Sequence, residues 1–162
     1  MSTSSYVTVQ ESDEMASMTP SGEIWLEMDG GLKLSSLSYS SKMLDSFFDW
    51  TGQIATDIQS LRWPRKNVYD RDGRLIDSTT IPNRIKEATF MLALSVSKGE
   101  IEGVTPGNLE SLKIGPIALS FDTTITKNDQ PVSTSVIAML NDFGNYTGPR
   151  NSTDAYNVRA IR

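Results

Sequence analysis

The most constraining feature of the sequence is a run of apolar residues with helical spacing after Pro82. Its members fall at i, i+3, i+4, i+7, i+8 and i+11, which places them on one face of a helix; they are Ile85, Ala88, Thr89, Leu92, Ala93 and Val96. Pro82 suits the first turn of a helix, and Gly99 suits its end. The pattern therefore predicts a buried helix from Pro82 to about Gly99, with Ile85, Leu92 and Val96 as core anchors.

Other parts of the chain also have helical signals. Apolar spacing and capping residues predict helices at about residues 9–18, 32–50, 54–61 and 132–143. The first is best defined at its start, because Thr8 and Glu11 make a capping box in which each side chain satisfies a free backbone amide. The third must end before Pro64, because the residue before a proline avoids the helical region.

The remaining segments favour extended structure. Asp72-Gly73, flanked by Val68 and by Leu75-Ile76, predicts a minor β-hairpin. Apolar residues from Leu112 to Phe121 indicate two short strands or one bent extended segment. The alternation in Tyr156–Arg162 predicts a strand that pairs with something else. The apolar share of the chain is 38%, below the roughly 45–50% of globular proteins, which favours segments that pack against a partner.

Together these patterns predict a mainly α fold. It is a small bundle of about four helices with a hairpin loop and an extended C-terminal arm. At this length one domain is expected. Residues 1–100 would form the helical core, residues 101–143 an extended segment and a short helix of the same domain, and residues 144–162 the arm.

Two absences limit the chemistry. The chain has no Cys and no His, which excludes thiolate metal sites, Cys nucleophiles and every catalytic scheme that needs an imidazole. No nucleophile elbow or phosphate loop is present. We therefore expect no catalysis, no metal and no cofactor. No apolar run approaches the length of a membrane span.

Charge is unevenly distributed along the chain. The net charge is −5, and six carboxylates precede the first basic residue, Lys33. A basic middle follows, with Arg62, Arg65 and Lys66 at its start. Because a generic nucleic-acid binder should be basic, the net charge argues against that class of protein.

Two motifs in the basic middle allow more than one interpretation. Trp63-Pro64-Arg65-Lys66 could be a stacking and phosphate-contact patch for single-stranded nucleic acid. Alternatively, Trp63 is a core anchor and the two cations are solvated, which we favour because one aromatic residue is not a stacking platform. Asp70-Arg71-Asp72-Gly73 resembles half of a calcium loop, but a plain turn is the better interpretation.

The central block also carries a family resemblance. It has Trp63-Pro64-Arg65, a loop that ends in Asp72-Gly73-Arg74, and Ile81-Pro82 before the long helix. This pattern resembles a family of tailed-bacteriophage proteins described as DnaT-like single-stranded-DNA-binding proteins, which look like head-to-tail adaptor (head completion) proteins. Family members usually have Gly where Asn67 stands, and Asn tolerates positive φ better than most residues. They also have more Ala where this chain has Ser38, Ser40 and Ser41.

The resemblance implies two competing functions. The acidic charge and the few aromatic residues favour the adaptor, a structural virion protein that forms a dodecameric ring under the portal, extends the DNA channel and docks the tail. Its partners would be the portal protein, a tail or nozzle completion protein, further copies of itself, and DNA that passes without specific binding. The alternatives are a DnaT-like replication protein that binds single-stranded DNA, or another minor capsid or tail completion protein.

Two groups of residues are predicted to make contacts in the adaptor. Portal or neighbour contacts are expected from the C-terminal residues Tyr156, Val158, Arg159, Ile161 and Arg162. Loop interactions are expected from Arg65, Lys66, Asp70, Asp72 and Arg74. The expected location is the head–tail junction of the virion, after assembly in the host cytoplasm, with no membrane contact.

Overall fold

A computed structural model of the chain describes residues 4–99 and 131–148. Within these ranges the fold is mainly α, as predicted, with a few short strands. The helices are α1 (Val9–Ser17), α2 (Glu23–Leu26), α3 (Gly30–Phe47), α4 (Asn83–Ser97) and α5 (Thr134–Leu140). The strands are β1 (Phe48–Trp50), β2 (Gln53–Ile54), β3 (Arg65–Lys66) and β4 (Gly144–Tyr146).

The centre of the fold is the packed pair of α3 and α4. Leu37, from the first half of α3, shares a buried cluster with Ala93 and Leu94 from the second half of α4. Leu44, from the second half of α3, shares another cluster with Ile85. The two helices are therefore antiparallel, with one apolar cluster towards each end of the pair.

Different parts of the chain pack into the two clusters. The cluster around Leu37 also holds Trp25 of α2, whose ring meets Phe90 edge to face at 5.5 Å. The cluster around Leu44 holds Trp63 and residues of α5. Covering each end of the helix pair with short elements lets a small chain bury large aromatic rings, which contribute much of the hydrophobic stabilisation.

The predicted helix after Pro82 is confirmed, and it is bounded by Pro82 and Lys98. Ile85 and Leu92 are fully buried. Val96 is only partly buried and belongs to neither cluster, which corrects its prediction as a core anchor. It lies in the last turn of α4, where the helix reaches the edge of the packed pair.

The capping box of α1 is also confirmed. The Thr8 hydroxyl accepts from the Glu11 amide at 3.2 Å, and the Glu11 carboxylate accepts from the Thr8 amide at 2.8 Å. Glu11 further pairs with Lys86 of α4 at 2.5 Å. The hydrogen bond from Lys86 comes first among the causes that lower the pKa of Glu11. The start of α1 is thus fixed both locally and against α4.

The helix predicted for residues 32–50 is real but ends earlier. It starts at Gly30 and stops at Phe47, and Trp50 lies in strand β1. β1 pairs antiparallel with β4, with Phe48 opposite Tyr146 and Trp50 opposite Gly144. Aromatic residues suit a half-buried strand as well as a helix, and only the distant partner strand decides between them.

The helix predicted for residues 54–61 is wrong. Gln53 and Ile54 form β2, which pairs antiparallel with β3. The rest of the segment is a turn, in which Ile58 is 95% exposed. Gln59 organises this turn by donating its side-chain amide to the carbonyls of Leu61 and Pro64 at 2.8 and 3.1 Å. Three apolar residues at helical spacing were too few to identify a helix.

The end of the described chain also bears on the predictions. The last helix is confirmed as α5, capped by Ser133. Gly144–Tyr146 lies in β4 and so pairs with the core of the fold. The strands predicted between Leu112 and Phe121, and the strand predicted for Tyr156–Arg162, lie outside the described residues. In the described ranges no helix is long and apolar enough to cross a membrane.

Candidate functional site

The loop between β3 and α4 contains the predicted hairpin, residues 68–76. The Ile76 amide donates to the Val68 carbonyl at 2.9 Å, and Tyr69 faces Leu75 in an antiparallel bridge. Val68 is buried, which fixes the hairpin to the core and turns the next residue, Tyr69, outward. The hairpin therefore presents one paired face to solvent.

The tip of the hairpin is held by Asp70. Its carboxylate accepts from the amides of Asp72 and Arg74 at 2.9 and 2.8 Å. Gly73 completes the turn with a φ of 76°, a conformation that favours glycine. Asp70 was predicted to interact with a partner, but its hydrogen bonds show that it shapes the loop. The plain-turn interpretation is correct for this segment, and the described residues contain no group of three metal-ligating side chains.

The exposed side chains of this region form one surface, which we call the hairpin surface. It consists of Lys66, Tyr69, Arg71, Arg74 and Leu75. Tyr69 and Leu75 are 57% and 61% exposed. Of the aromatic side chains in the described ranges, only that of Tyr69 is largely exposed to solvent; the others are buried or partly buried. An exposed ring among cations is the arrangement that a nucleobase and its phosphates can use.

The charge of this region is opposite to that of the whole chain. Residues 62–77 carry five cations and three carboxylates. Arg74 pairs with Asp72 at 2.6 Å and more loosely with Asp70 at 3.7 Å, and Arg71 pairs with Asp142 at 3.4 Å. Because such exposed pairs contribute only about 0–1 kcal/mol, they leave the cations available to a stronger anion.

A shallow cleft of about 490 Å³ adjoins the hairpin surface. Lys66 and Leu75 belong to both, and Asn67 and Ile76 also line the cleft. Asn67 has a φ of 57°, a left-handed conformation that Asn adopts more readily than most residues. This turn places Lys66 at the junction of the cleft and the hairpin surface.

The Trp-Pro-Arg motif has an internal role. Trp63 is 2% exposed and meets Trp50 and Phe143 edge to face, each at 5.9 Å between ring centroids. Its burial favours the core-anchor interpretation over the stacking patch. Arg65 is also buried, and its guanidinium donates to the carbonyls of Thr51 and Gly52 at 2.6 and 2.8 Å. Burial lowers the pKa of Arg65.

These contacts correct the prediction that Arg65 interacts through the loop. The same guanidinium also reaches the carbonyls of Arg62 and Trp50, at 3.2 and 3.4 Å. Since neighbouring residues in a strand point to opposite faces, Arg65 points inward and Lys66 outward. Only Lys66 of this pair lies on the hairpin surface.

A larger cavity, about 890 Å³, lies beside Asp45 and Trp50. Asp45 accepts hydrogen bonds from the Tyr6 hydroxyl, from Trp50 Nε1 at 3.0 Å and from the Arg62 amide at 3.0 Å. Burial, the largest cause, raises the pKa of Asp45, and burial also raises the pKa of Tyr6. Because Asp45 already has three protein donors, we interpret this group as a structural link between the N-terminus, α3 and the segment before Pro64.

The structure brings together some of the residues predicted to make loop contacts, and it places further residues beside them. Lys66, Asp70, Asp72 and Arg74 lie together at the hairpin, whereas the five predicted C-terminal residues lie outside the described ranges. Sequence reasoning did not single out Tyr69 and Arg71, which the structure places on the hairpin surface. The available signal was the period-two pattern around Asp72-Gly73, which turns Tyr69 to the side opposite Val68.

The comparisons with known proteins give one match. A family model described as "Putative DnaT-like ssDNA binding protein" matches residues 2–162. No curated protein and no solved structure matches the chain.

The family match corrects the choice of the head-to-tail adaptor. Its description names single-stranded DNA binding, so the ring, the portal and tail partners, the virion role and the non-specific passage of DNA were wrong. The net charge of −5 misled because it averages an acidic N-terminal third with a basic middle. The virion location and the absence of catalysis stay predictions. With the match covering all but the first residue, the chain belongs to the family of putative DnaT-like ssDNA-binding proteins.

Proposed function

We propose that the protein binds single-stranded DNA and that the hairpin surface makes the contact. The family description supports the ligand. The observation that carries the location is the exposed ring of Tyr69, set among Lys66, Arg71 and Arg74. Within the described residues, this is where an exposed aromatic and several cations occur together.

The chemistry of binding divides between the ring and the cations. A base stacks on the exposed face of Tyr69, an interaction worth about 1–3 kcal/mol per base and tolerant of sequence because every base has a π-face. Lys66, Arg71 and Arg74 take the phosphates on either side. Arginine suits this role because its planar fork can hold two phosphate oxygens at once.

Local charge makes such binding compatible with an acidic protein. The Debye length is about 8 Å at physiological ionic strength, so carboxylates farther than that from the hairpin are largely screened. Residues 62–77 carry five cations and three carboxylates, so the local charge is positive although the net charge of the chain is −5.

Fluorescence anisotropy with a labelled oligothymidylate tests this proposal. Wild-type protein should bind, and Tyr69→Ala should weaken binding by about 5- to 150-fold, the equivalent of one lost stacked base. Tyr69→Phe keeps the ring and should bind within about twofold of wild type, since stacking rather than the hydroxyl provides the contact.

The two variants separate the ligand from its location. If wild-type protein does not bind the oligonucleotide at low salt, the proposed function is wrong. If it binds and Tyr69→Ala binds equally well, single-stranded DNA is a ligand but the hairpin surface is not its site. Circular dichroism should show unchanged helicity for both variants, because Tyr69 is exposed.

A further inference from the structure

Two arginines from different elements converge on one carboxylate beside the hairpin surface. Arg71 of the hairpin tip lies 3.4 Å from one oxygen of Asp142, and Arg84 in the first turn of α4 lies 3.8 Å from the other. The arginine side chains are 72% and 53% exposed, and that of Asp142 is 21% exposed. A single anion is thus held between two cations at the surface.

Asp142 is placed there by the end of α5. The helix ends at Leu140, and the Phe143 amide donates to the Leu140 carbonyl at 2.9 Å, so the chain turns tightly at Asp142. Phe143 and Leu140 are both buried in the core. The carboxylate therefore has a fixed position, whereas the two exposed arginine side chains are free to leave it.

We propose that Arg71 and Arg84 form a phosphate subsite and that Asp142 occupies it as an internal anion in the free protein. This inference rests on the proposed function and extends it from the hairpin surface to the start of α4. The spacing of the pair suits the ligand, because two guanidinium groups that bracket one carboxylate can also bracket one phosphodiester.

A purely structural role explains the arrangement less well. Contacts of 3.4 and 3.8 Å are long for charge-assisted hydrogen bonds, which are usually about 2.7–2.9 Å. Exposed ion pairs of this kind contribute little to folding stability. Loose pairing is what a displaceable anion requires, since the incoming phosphate has to replace it at low cost.

Asp142 then sets the affinity for single-stranded DNA. A phosphate entering the subsite must displace the carboxylate or share the arginines with it, and the two negative charges repel each other. Removing the carboxylate charge should therefore tighten binding, and the gain should depend on the two arginines. Asp77 offers a matched control, because it is an exposed carboxylate beside the same surface and accepts hydrogen bonds from the amide and the hydroxyl of Thr79.

The test is a double-mutant cycle measured by anisotropy with labelled oligothymidylate. Asp142→Asn should bind about 2- to 30-fold more tightly than wild type, the equivalent of two exposed ion pairs released. Asp77→Asn removes the same charge from a carboxylate bound by Thr79 and not by the two arginines, so it should tighten binding by less than Asp142→Asn does. In a protein that already carries Arg71→Ala and Arg84→Ala, Asp142→Asn should change affinity by less than about twofold.

A second measurement distinguishes this inference from the proposed function. Inorganic pyrophosphate should raise the thermal unfolding midpoint of Asp142→Asn more than that of wild type, without any DNA present. If DNA binds but Asp142→Asn gains nothing, the subsite is refuted and the proposed function stands. If DNA does not bind but pyrophosphate stabilises Asp142→Asn selectively, the subsite stands and the proposed function fails. If neither effect appears, both are refuted.

Discussion

At the residue scale, the clearest division of roles is between Arg65 and Lys66. Both side chains are positively charged and adjacent in sequence, yet Arg65 is only 8% exposed whereas Lys66 is exposed to solvent. Arg65 donates hydrogen bonds to the Thr51 and Gly52 carbonyls in the turn between β1 and β2, whereas Lys66 lines the cleft. From sequence the two could not be separated, because the carbonyls that Arg65 satisfies become visible only once the turn is built.

This division predicts different stabilities for matched substitutions. Arg65→Met keeps most of the side-chain volume but removes the donor to the carbonyls of Thr51 and Gly52, which should lower the free energy of unfolding by about 1–3 kcal/mol. Lys66→Met should change it by less than about 0.5 kcal/mol, as is usual at exposed positions. Urea denaturation of both variants measures the difference, and equal stabilities would contradict the internal role of Arg65.

At the scale of elements, sequence reasoning succeeded where local signals agreed. α4 has a six-residue apolar stripe and a proline at its start, and α1 has a capping box, so both could be placed to within one or two residues. The end of α3 and the turn after Gln53 could not be placed, because pairing with β4 and β3 decides them. Strand partners that are distant in sequence leave no local signal.

The buried and exposed faces of α4 should differ in how much a substitution lowers the free energy of unfolding. Leu92 is 2% exposed and lies in the cluster with Leu44, so Leu92→Ala should lower the free energy of unfolding by about 2–5 kcal/mol. Met91, the adjacent residue, is 37% exposed, and Met91→Ala should cost less than about 1 kcal/mol. Chemical denaturation tests both, and a near-zero effect for Leu92→Ala would contradict its place in the core.

At the scale of the whole molecule, segregation of charge is the feature that sequence reasoning recorded but misjudged. The acidic residues before Lys33 and the basic residues between Arg62 and Arg74 were both visible in the sequence. Their sum argued against a nucleic-acid ligand. The fold shows why the sum is the wrong quantity, since the hairpin brings Lys66, Arg71 and Arg74 onto one surface with an exposed ring. Predicting that surface required the hairpin register, which depends on the burial of Val68.

The most direct test of the central proposal is the salt dependence of binding to single-stranded oligothymidylate. With three phosphate contacts, from Lys66, Arg71 and Arg74, log affinity should fall with log salt with a slope of about −2.1, at about 0.7 per contact. Lys66→Ala should make the slope shallower by about 0.7. Lys98→Ala, the same charge change at the far end of α4, should leave the slope unchanged. Failure of the wild-type protein to bind at low salt, or an affinity independent of salt, would contradict single-stranded DNA binding through this surface.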